Sequence, residues 1–429
     1  MLFKKSIIAG ALLMSILGLT ACSSTGGSDK IELRYATWDP MHKEAIETLI
    51  TEYEDQNQNI DIKLEQYSFG DYWTKMETAA TGGSAPDILW MNATNFNLYS
   101  RSGMLVDMTN MIKENNVNMD DYLDNLTSLY NKDGKQYAIP TFWDANVLLV
   151  NTALMKEHNI EKPKDNWTWN EMIAWLQDAK TKLPNDIYPI TTFTTESNQL
   201  GVFNEVAASG GTILSEDKTK AMINSPETEE GFKKYFELAT SDLHTPIDLN
   251  RELKTSTIFK SNKALAIQAG SYHILGYSDP EQAKVAGNFE IYQIPKINEK
   301  AEGSTVIHGL GNAISSNSKY PKEAFDFIKF MSSKESMEKY TKLASVPQAR
   351  KDVQDVFSSS MKEQLGIDVT PLTDAAKGAM PLPNSFDTSK WDKVINDNFN
   401  EYLNGKMTLD EALKKTQEGI QKVLDAEKK

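Results

Sequence analysis

The sequence predicts an α/β fold with two domains, and three observations support that prediction. Its first elements read strand, helix, strand, helix, strand over 31–38, 42–55, 60–67, 71–80 and 84–92. This order favours a parallel sheet with helices on both faces. About 400 residues follow the N-terminal segment, which is enough chain for two domains. No P-loop or dinucleotide-binding fingerprint occurs in the strand-to-helix turns, so nucleotide chemistry is disfavoured.

Periodicity predicts the first two strands and their helices. Residues 31–38 alternate between polar and apolar side chains, which is typical of a half-buried strand. In the following helix, Ala45, Leu49 and Tyr53 recur at helical spacing, so one face is predicted to be buried. Asp71 is predicted to cap the helix that follows the second strand.

The third strand carries the first functional signal. A glycine-rich turn beginning at Gly82 leads into a short apolar strand that ends in Trp90, Met91 and Asn92, with Asn95 nearby. Ligands of parallel sheets bind where strands end and loops begin. An indole beside amides suggests a site that stacks on a ligand and hydrogen-bonds it. A plain core strand followed by a polar turn is the alternative.

The rest of the chain continues the α/β pattern. An apolar strand over 145–151 is predicted to run from one lobe to the other, and Thr168 and Glu171 predict a capping box at the start of a helix. Further strands are predicted over 187–193, 264–268, 289–295 and 304–314, and further helices over 198–208, 227–240, 322–332, 391–403 and 409–426.

The N-terminus predicts export and a lipid anchor. Residues 1–21 have a positively charged start, an apolar stretch and small residues at the end, which is typical of a signal peptide. Leu19-Thr20-Ala21-Cys22 resembles the lipobox of bacterial lipoproteins, which implies cleavage before Cys22 and lipid attachment to its sulfur. A spare cysteine in an ordinary signal peptide is the alternative. Residues 22–30 are predicted to form a flexible tether.

Charge and motif content exclude several function classes. The formal net charge is -15, which disfavours nucleic-acid binding, since that affinity depends on basic residues. Neither a Gly-x-Ser-x-Gly elbow nor a His-Glu-x-x-His helix occurs. The five histidines lack metal-site spacing, so no metal and no cofactor are predicted. A secreted glycosidase stays open as an alternative, because carboxylate pairs are abundant.

An ordered set of short motifs is similar to a known family. Together with the lipobox, these motifs resemble the extracellular solute-binding proteins of carbohydrate ABC transporters, solute-binding protein family 1, which includes maltose-binding protein. The motifs are 82–88, 102–105, 210–211, 270–272, 309–315 and 322–327.

The resemblance implies a two-lobe, periplasmic-binding-protein-like fold of type II. Each lobe is expected to contain a mostly parallel sheet flanked by helices, and a hinge of three crossings is expected to join them. The expected N-terminal lobe is 31–141 plus 305–345, and the expected C-terminal lobe is 142–304 plus 346–429. The implied function is a non-enzymatic, monomeric receptor at the outer face of the cell membrane. It captures a sugar between the lobes and delivers it to a permease.

Sugar chemistry selects the candidate ligand contacts. Aromatic rings match the apolar face of a pyranose, whereas amides and carboxylates match its hydroxyls. Asp144 falls where the resemblance implies a ligand-contacting carboxylate at the first crossing. The candidates are Trp38, Asp39, Tyr67, Trp90, Met91, Asn92 and Asn95 in the first lobe, Trp143 and Asp144 at the crossing, and Asn198, Phe203, Asn204, Tyr272 and Trp391 in the second lobe.

Alternatives stay open at several of these positions. Strand neighbours alternate, so either Trp90 or Met91 is expected to face the cleft. Trp38 has a core position as its alternative role, and Asp39 has helix capping. A peptide, polyamine or iron-chelate ligand is the alternative to a sugar. No arginine follows the predicted strand ends, which disfavours anionic ligands.

Overall fold

The computed structural model describes residues 30–428. The predicted signal peptide, Cys22 and nearly all of the predicted tether lie outside the described residues. The strands are β1 (Ile31–Thr37), β2 (Ile60–Gln66), β3 (Ile88–Asn92), β4 (Asn131–Lys132), β5 (Lys135–Gln136), β6 (Ala138–Asn151), β7 (Tyr188–Thr191), β8 (Ala264–Gly270), β9 (Phe289–Tyr292), β10 (Val306–Ile314) and β11 (Met380–Pro381).

Helices occupy most of the remaining chain, together with short 3₁₀ turns at 40–42, 119–121, 128–130 and 351–353. They are α1 (Lys43–Gln56), α2 (Phe69–Thr81), α3 (Ala93–Arg101), α4 (Thr109–Glu114), α5 (Asp124–Thr127), α6 (Thr152–Glu157), α7 (Trp169–Lys182), α8 (Phe203–Ala208), α9 (Pro226–Ala239), α10 (Ile247–Leu253), α11 (Thr255–Lys260), α12 (His273–Ser278), α13 (Pro321–Met331), α14 (Lys334–Ala344), α15 (Gln354–Leu365), α16 (Thr370–Lys377), α17 (Thr388–Leu403) and α18 (Leu409–Glu427).

The main sheet has parallel pairs at both ends and antiparallel strands in the middle. Its order is β2-β1-β3-β10-β6-β8-β7, with β11 beside β10 and β9 beside β6. Strand β1 is parallel to β2 and β3, and β7 is parallel to β8. Strand β10 runs antiparallel to β3 and β6, and β6 runs antiparallel to β8. The predicted mixed α/β class with a mostly parallel, helix-flanked sheet is confirmed.

The long strand β6 joins the two ends of the sheet. Residues 138–145 pair with β10, and residues 146–151 pair with β8 and β9. Every residue of β6 is buried, which explains why its sequence reads as an apolar run. The predicted crossing near 140–144 is therefore the middle of one continuous strand rather than the lead-in to a separate one.

Local sequence signals place most helix ends within a few residues of the prediction. The capping box of Thr168 and Glu171 is present at the start of α7. Helix α2 begins earlier than predicted, because Ser68 caps it and accepts a hydrogen bond from the Asp71 amide. The helix expected over 198–208 begins only at Phe203, because tertiary hydrogen bonds hold the preceding segment in turns.

The segment after β10 packs first on one end of the sheet and then on the other. Arg350 lies 3.2 Å from Asp121, and Lys351 lies 3.0 Å from Asp124. In α17, the Phe399 ring instead stacks on Phe236 of α9, with centroids 4.3 Å apart. These contacts favour a last crossing between 353 and 388 rather than at 346, and the lobe boundaries remain a prediction.

No helix within residues 30–428 combines the length and the apolar character that a bilayer crossing needs.

Candidate ligand-binding cleft

One cleft of about 400 Å³ lies where the strand ends meet the middle of β6 and β10, and this volume falls in the range of small-molecule sites, about 300–1,000 Å³. It is built by the ends of β1, β3 and β8, by β6 and β10, by the start of α2 and by the segment after α14. Its lining comprises Trp38, Asp39, Met41, His42, Phe69, Asn92, Ala93, Thr94, Phe142, Trp143, Asp144, Gln199, Ser271, Tyr272, Ile274, Leu275, His308, Gly309, Leu310, Ser345, Val346, Pro347, Phe357, Met361 and Leu382.

The cleft brings together residues that are far apart in the chain, and it includes several of the sequence-predicted contacts. These come from the ends of β1, β3 and β8 and from the crossing strand β6, which is where ligands of α/β sheets bind. The predicted residues that line the cleft are Trp38, Asp39, Asn92, Trp143, Asp144 and Tyr272.

The two neighbouring candidates on β3 do not line the cleft. Trp90 is fully buried, and its indole N–H donates to the Tyr35 hydroxyl at 2.7 Å. Met91 is fully buried as well. The expectation that one of the pair faces the cleft is therefore corrected: β3 lies between β1 and β10, and both of its faces are covered by protein.

Two polar candidates of the first half are used in local structure. The Tyr67 hydroxyl donates to Glu65 at 2.6 Å and does not reach the cleft lining. Asn95 donates from its backbone and side-chain nitrogens to the Asn92 Oδ1, each at 3.0 Å. Asn92 thus caps α3 with its oxygen, and no hydrogen bond within residues 30–428 uses its amide nitrogen.

The remaining candidates of the second half lie behind the cleft. The Asn198 amide donates to Asp392 at 2.9 Å, and the indole of the fully buried Trp391 donates to Ser385 at 2.9 Å. Phe203 is buried, with its ring 6.4 Å from that of Trp391. Asn204 is fully buried within a hydrogen-bond network. These positions are corrected to core and packing roles, because α17 folds back against the α8 region.

Exposed rings and apolar side chains stand at the cleft. A group of neighbouring exposed apolar side chains often marks a ligand-binding groove. Phe69 is 56% exposed, Met41 50% and Tyr272 48%. The half-buried Trp38 ring is held edge-on by Phe69 at 5.7 Å and by Trp90 at 5.1 Å. The sequence reasoning missed Phe69 and Met41, because exposure at a cleft leaves no local pattern.

Asp144 holds the turn that presents Tyr272. Its Oδ1 accepts from the Ser271 hydroxyl and, at 3.2 Å, from the Tyr272 backbone amide. Its Oδ2 lies 3.1 Å from Nε2 of His308, the residue opposite in the β6–β10 register. That approach does not have hydrogen-bond geometry, and neither atom has another partner within residues 30–428. Only 5% of Asp144 is exposed, and its two hydrogen bonds to protein groups both use Oδ1.

The side chains of the cleft lining do not favour an anion. Its lining contains neither lysine nor arginine, whereas it contains two carboxylates, Asp39 and Asp144. The His42 Nδ1 lies 2.8 Å from the Tyr340 hydroxyl, and burial lowers the pKa of His42 to about 4, so the ring is neutral at neutral pH. Within residues 30–428, no cluster of three or more side chains suited to a metal ion occurs. The lining therefore disfavours an anionic solute.

The comparisons with known proteins agree with this architecture. The profile of the bacterial extracellular solute-binding protein family matches residues 48–366. The multiple sugar-binding protein of Streptococcus mutans is 22% identical over 379 residues, covering 84% of this chain and 86% of that protein.

Solved structures share the fold. An ABC substrate-binding protein from Listeria monocytogenes, in complex with cycloalternan, superposes with a TM-score of 0.79 at 23% identity, covering 92% of this chain and all of that one. A cyclic α-maltosyl-1,6-maltose binding protein from Arthrobacter globiformis gives a TM-score of 0.80 at 19% identity, with the same coverage.

These structures are of the type II periplasmic-binding-protein class, so that part of the predicted fold is confirmed. Members of this family bind solutes outside the cytoplasm and are not enzymes. Membership therefore excludes the glycosidase alternative. The family profile covers about three-quarters of the sequence, and this chain therefore belongs to the bacterial extracellular solute-binding proteins.

Proposed function

We propose that the protein captures a neutral sugar or oligosaccharide in the cleft and delivers it to the permease of an ABC transporter. The observation that carries this proposal is a lining without lysine or arginine, in which exposed rings lie beside amide and carboxylate groups that hydrogen-bond hydroxyls. Rings of Trp38, Phe69 and Tyr272 match the apolar faces of sugar rings. Asn92 offers a free amide nitrogen to hydroxyls, which both donate and accept. The relatives named for sugar binding support the same ligand class.

The proposed ligand contacts are the six predicted residues that line the cleft, together with Phe69 and Met41. Micromolar affinity corresponds to about -8 kcal/mol. Burial of apolar side chains contributes roughly 25 cal/mol per Å² of surface removed from water. Two rings stacked on a sugar, with several hydrogen bonds of about 1 kcal/mol each, are sufficient for that affinity.

Calorimetric titration with a defined panel tests the ligand class. The panel contains maltotriose, cyclic α-maltosyl-1,6-maltose and arabinotriose as neutral sugars, with trigalacturonic acid, a tripeptide and spermidine as comparisons. Saturable binding of a neutral sugar, lost in Trp38→Ala but kept in Trp175→Ala on α7, is the expected result. Tight binding of spermidine or the tripeptide without sugar binding would overturn the proposal.

We also propose that residues 1–21 are a signal peptide and that a lipid on Cys22 anchors the protein to the outer face of the cell membrane. One acyl chain anchors weakly, whereas two or more anchor stably. Residues 22–30 then act as a tether for a monomeric receptor. Metabolic labelling with a palmitate analogue checks the anchor: the label should appear on the wild type and be absent from Cys22→Ser. A wild type without label would contradict it.

A further inference from the structure

Gln199 is a cleft residue whose backbone is fixed and whose side chain is free. It lines the cleft in the turn segment before α8. Its backbone carbonyl accepts from the Asn146 side-chain amide at 2.9 Å and from the Asn204 side-chain amide at 3.0 Å. No hydrogen bond within the described part of the chain uses the Gln199 side-chain amide. A glutamine on an ordinary surface loop has no such pair of buried amides beneath it.

Asn204 joins this segment to the two long strands. It is fully buried, and its Oδ1 accepts from Asn146 of β6 at 2.9 Å. The same oxygen accepts from the Thr305 hydroxyl at 3.0 Å and from the Val306 amide, at the start of β10, at 3.1 Å. Its amide nitrogen donates to the carbonyls of Gln199 and Gly201. Both hydrogens and the oxygen of the Asn204 amide are thus used.

Within this buried network the Asn204 amide is fully used, whereas the Asn146 Oδ1 has no hydrogen-bond partner within residues 30–428. The network favours one local geometry, because a shift of Asn204 would leave further buried polar groups unpaired. The neighbouring Gly201 adds a steric constraint. A Cβ on Gly201 would lie 2.5 Å from the Tyr235 hydroxyl oxygen, so the turn packs closely against Tyr235 and leaves no space for a side chain at position 201. Gln199 is therefore presented to the cleft on a rigid support, which is what a specific polar contact needs.

We infer that Gln199 is a ligand-binding residue, and that Asn146 and Asn204 are positioning residues that hold it. The inference rests on the proposed function. The Gln199 amide offers a donor group and an acceptor, which matches a sugar hydroxyl, since a hydroxyl also donates and accepts. Asn92 also lines the cleft, so the ligand would meet the amides of both residues.

The first experiment measures affinity by calorimetry, with whichever of maltotriose, cyclic α-maltosyl-1,6-maltose and arabinotriose the wild type binds. Gln199→Ala is expected to raise Kd about 3- to 10-fold, the size of one net hydrogen bond. Gln177→Ala, on the exposed face of α7, is the matched control and should bind as the wild type does. Unchanged affinity in Gln199→Ala would overturn the assignment of Gln199.

The second experiment separates positioning from general stability. Asn204→Asp places a carboxylate against the Gln199 carbonyl, and Asn146→Ser, the milder change, removes one of the two donors to it. Each is expected to raise Kd in the wild-type background and to have no further effect in Gln199→Ala. The loss of thermal stability that each substitution causes should be the same in the wild-type background and in Gln199→Ala.

Equal losses of affinity in both backgrounds would show a purely structural role and overturn the positioning assignment.

Failure of the proposed function and failure of this inference give different results. A wild type that binds none of the three sugars overturns the proposed function and this inference with it. A wild type that binds, with Gln199→Ala unchanged, overturns only the inference.

Discussion

Replacing Asp144 by alanine should cost both folding stability and sugar affinity. If Asp144 were only a ligand contact, the role that the family resemblance implies, its loss would weaken binding and leave stability nearly unchanged. The structure instead shows a carboxylate that is 5% exposed and accepts from the Ser271 hydroxyl and the Tyr272 amide. Alanine removes both hydrogen bonds and releases the turn that presents the Tyr272 ring to the cleft.

The magnitude follows from those two bonds. A hydrogen bond to a charged group contributes about 1.5–3 kcal/mol, and the Ser271 hydroxyl can rotate towards another acceptor. We therefore expect Asp144→Ala to lower the free energy of unfolding by about 2–4 kcal/mol. Asp144→Asn keeps the shape and one carbonyl acceptor, so its loss should be smaller, about 1 kcal/mol.

Urea unfolding followed by tryptophan fluorescence measures the stability of both variants, and calorimetric titration with a panel sugar measures their affinity. Both the free energy of unfolding and the sugar affinity are expected to decrease from wild type to Asp144→Asn and then to Asp144→Ala. If Asp144→Ala unfolded at the same urea concentration as the wild type, the carboxylate would not hold the turn. If it lost stability and kept full affinity, the Tyr272 turn would not matter for binding.

Three further outcomes are expected. Gly270→Ala should weaken sugar binding at least as much as Asp144→Asn, because its Cβ would lie 2.7 Å from the Asp144 Oδ2 and 2.8 Å from the Tyr272 ring; unchanged calorimetric titrations would contradict this. Trp90→Phe should lower the free energy of unfolding in urea by about 1–3 kcal/mol, because it removes one of the two hydrogen bonds of the buried Tyr35 hydroxyl, which still donates to Asn312, and leaves a smaller ring in the core. It should not change sugar affinity. Burial lowers the pKa of His244 to about 4, below the ordinary 6.5, so the unfolded chain binds protons first as the pH falls. Stability should therefore decline from about pH 6.5 to pH 4, by about 3 kcal/mol for this group, and His244→Gln should decline less than the wild type when unfolding is measured across that range.

Several cleft residues were predictable because of the way strands end. Trp38 follows β1, Asn92 ends β3 and Tyr272 follows β8, and each stands just beyond an apolar run that the sequence marks. The ends of such strands open into one crevice in an α/β sheet. Asp144 was predictable only through the family resemblance, because nothing local distinguishes it inside the continuous strand β6.

The choice between core and cleft was not predictable in the same way. Trp90 looks like a ligand-stacking residue in sequence, but the neighbours β1 and β10 and the layers over them bury it. Trp391 follows a proline-rich loop as expected, yet α17 packs against Phe203 and takes its ring into the core. These outcomes depend on partners far away in the chain, which local periodicity does not encode.

The sequence by itself determined the α/β class, the family and the strand ends that carry aromatic and amide groups, because hydrophobic period, caps and turn residues are local properties. Only the tertiary structure decided which of those groups reach the cleft. It placed His308 opposite Asp144 through the β6–β10 register. It also buried Asn204, whose amide hydrogen-bonds the Gln199 backbone and does not line the cleft. The physical reason is that the partner of a side chain is fixed by sheet register and helix docking, which bring together distant residues such as Asp144 and His308, or Asn204 and Thr305.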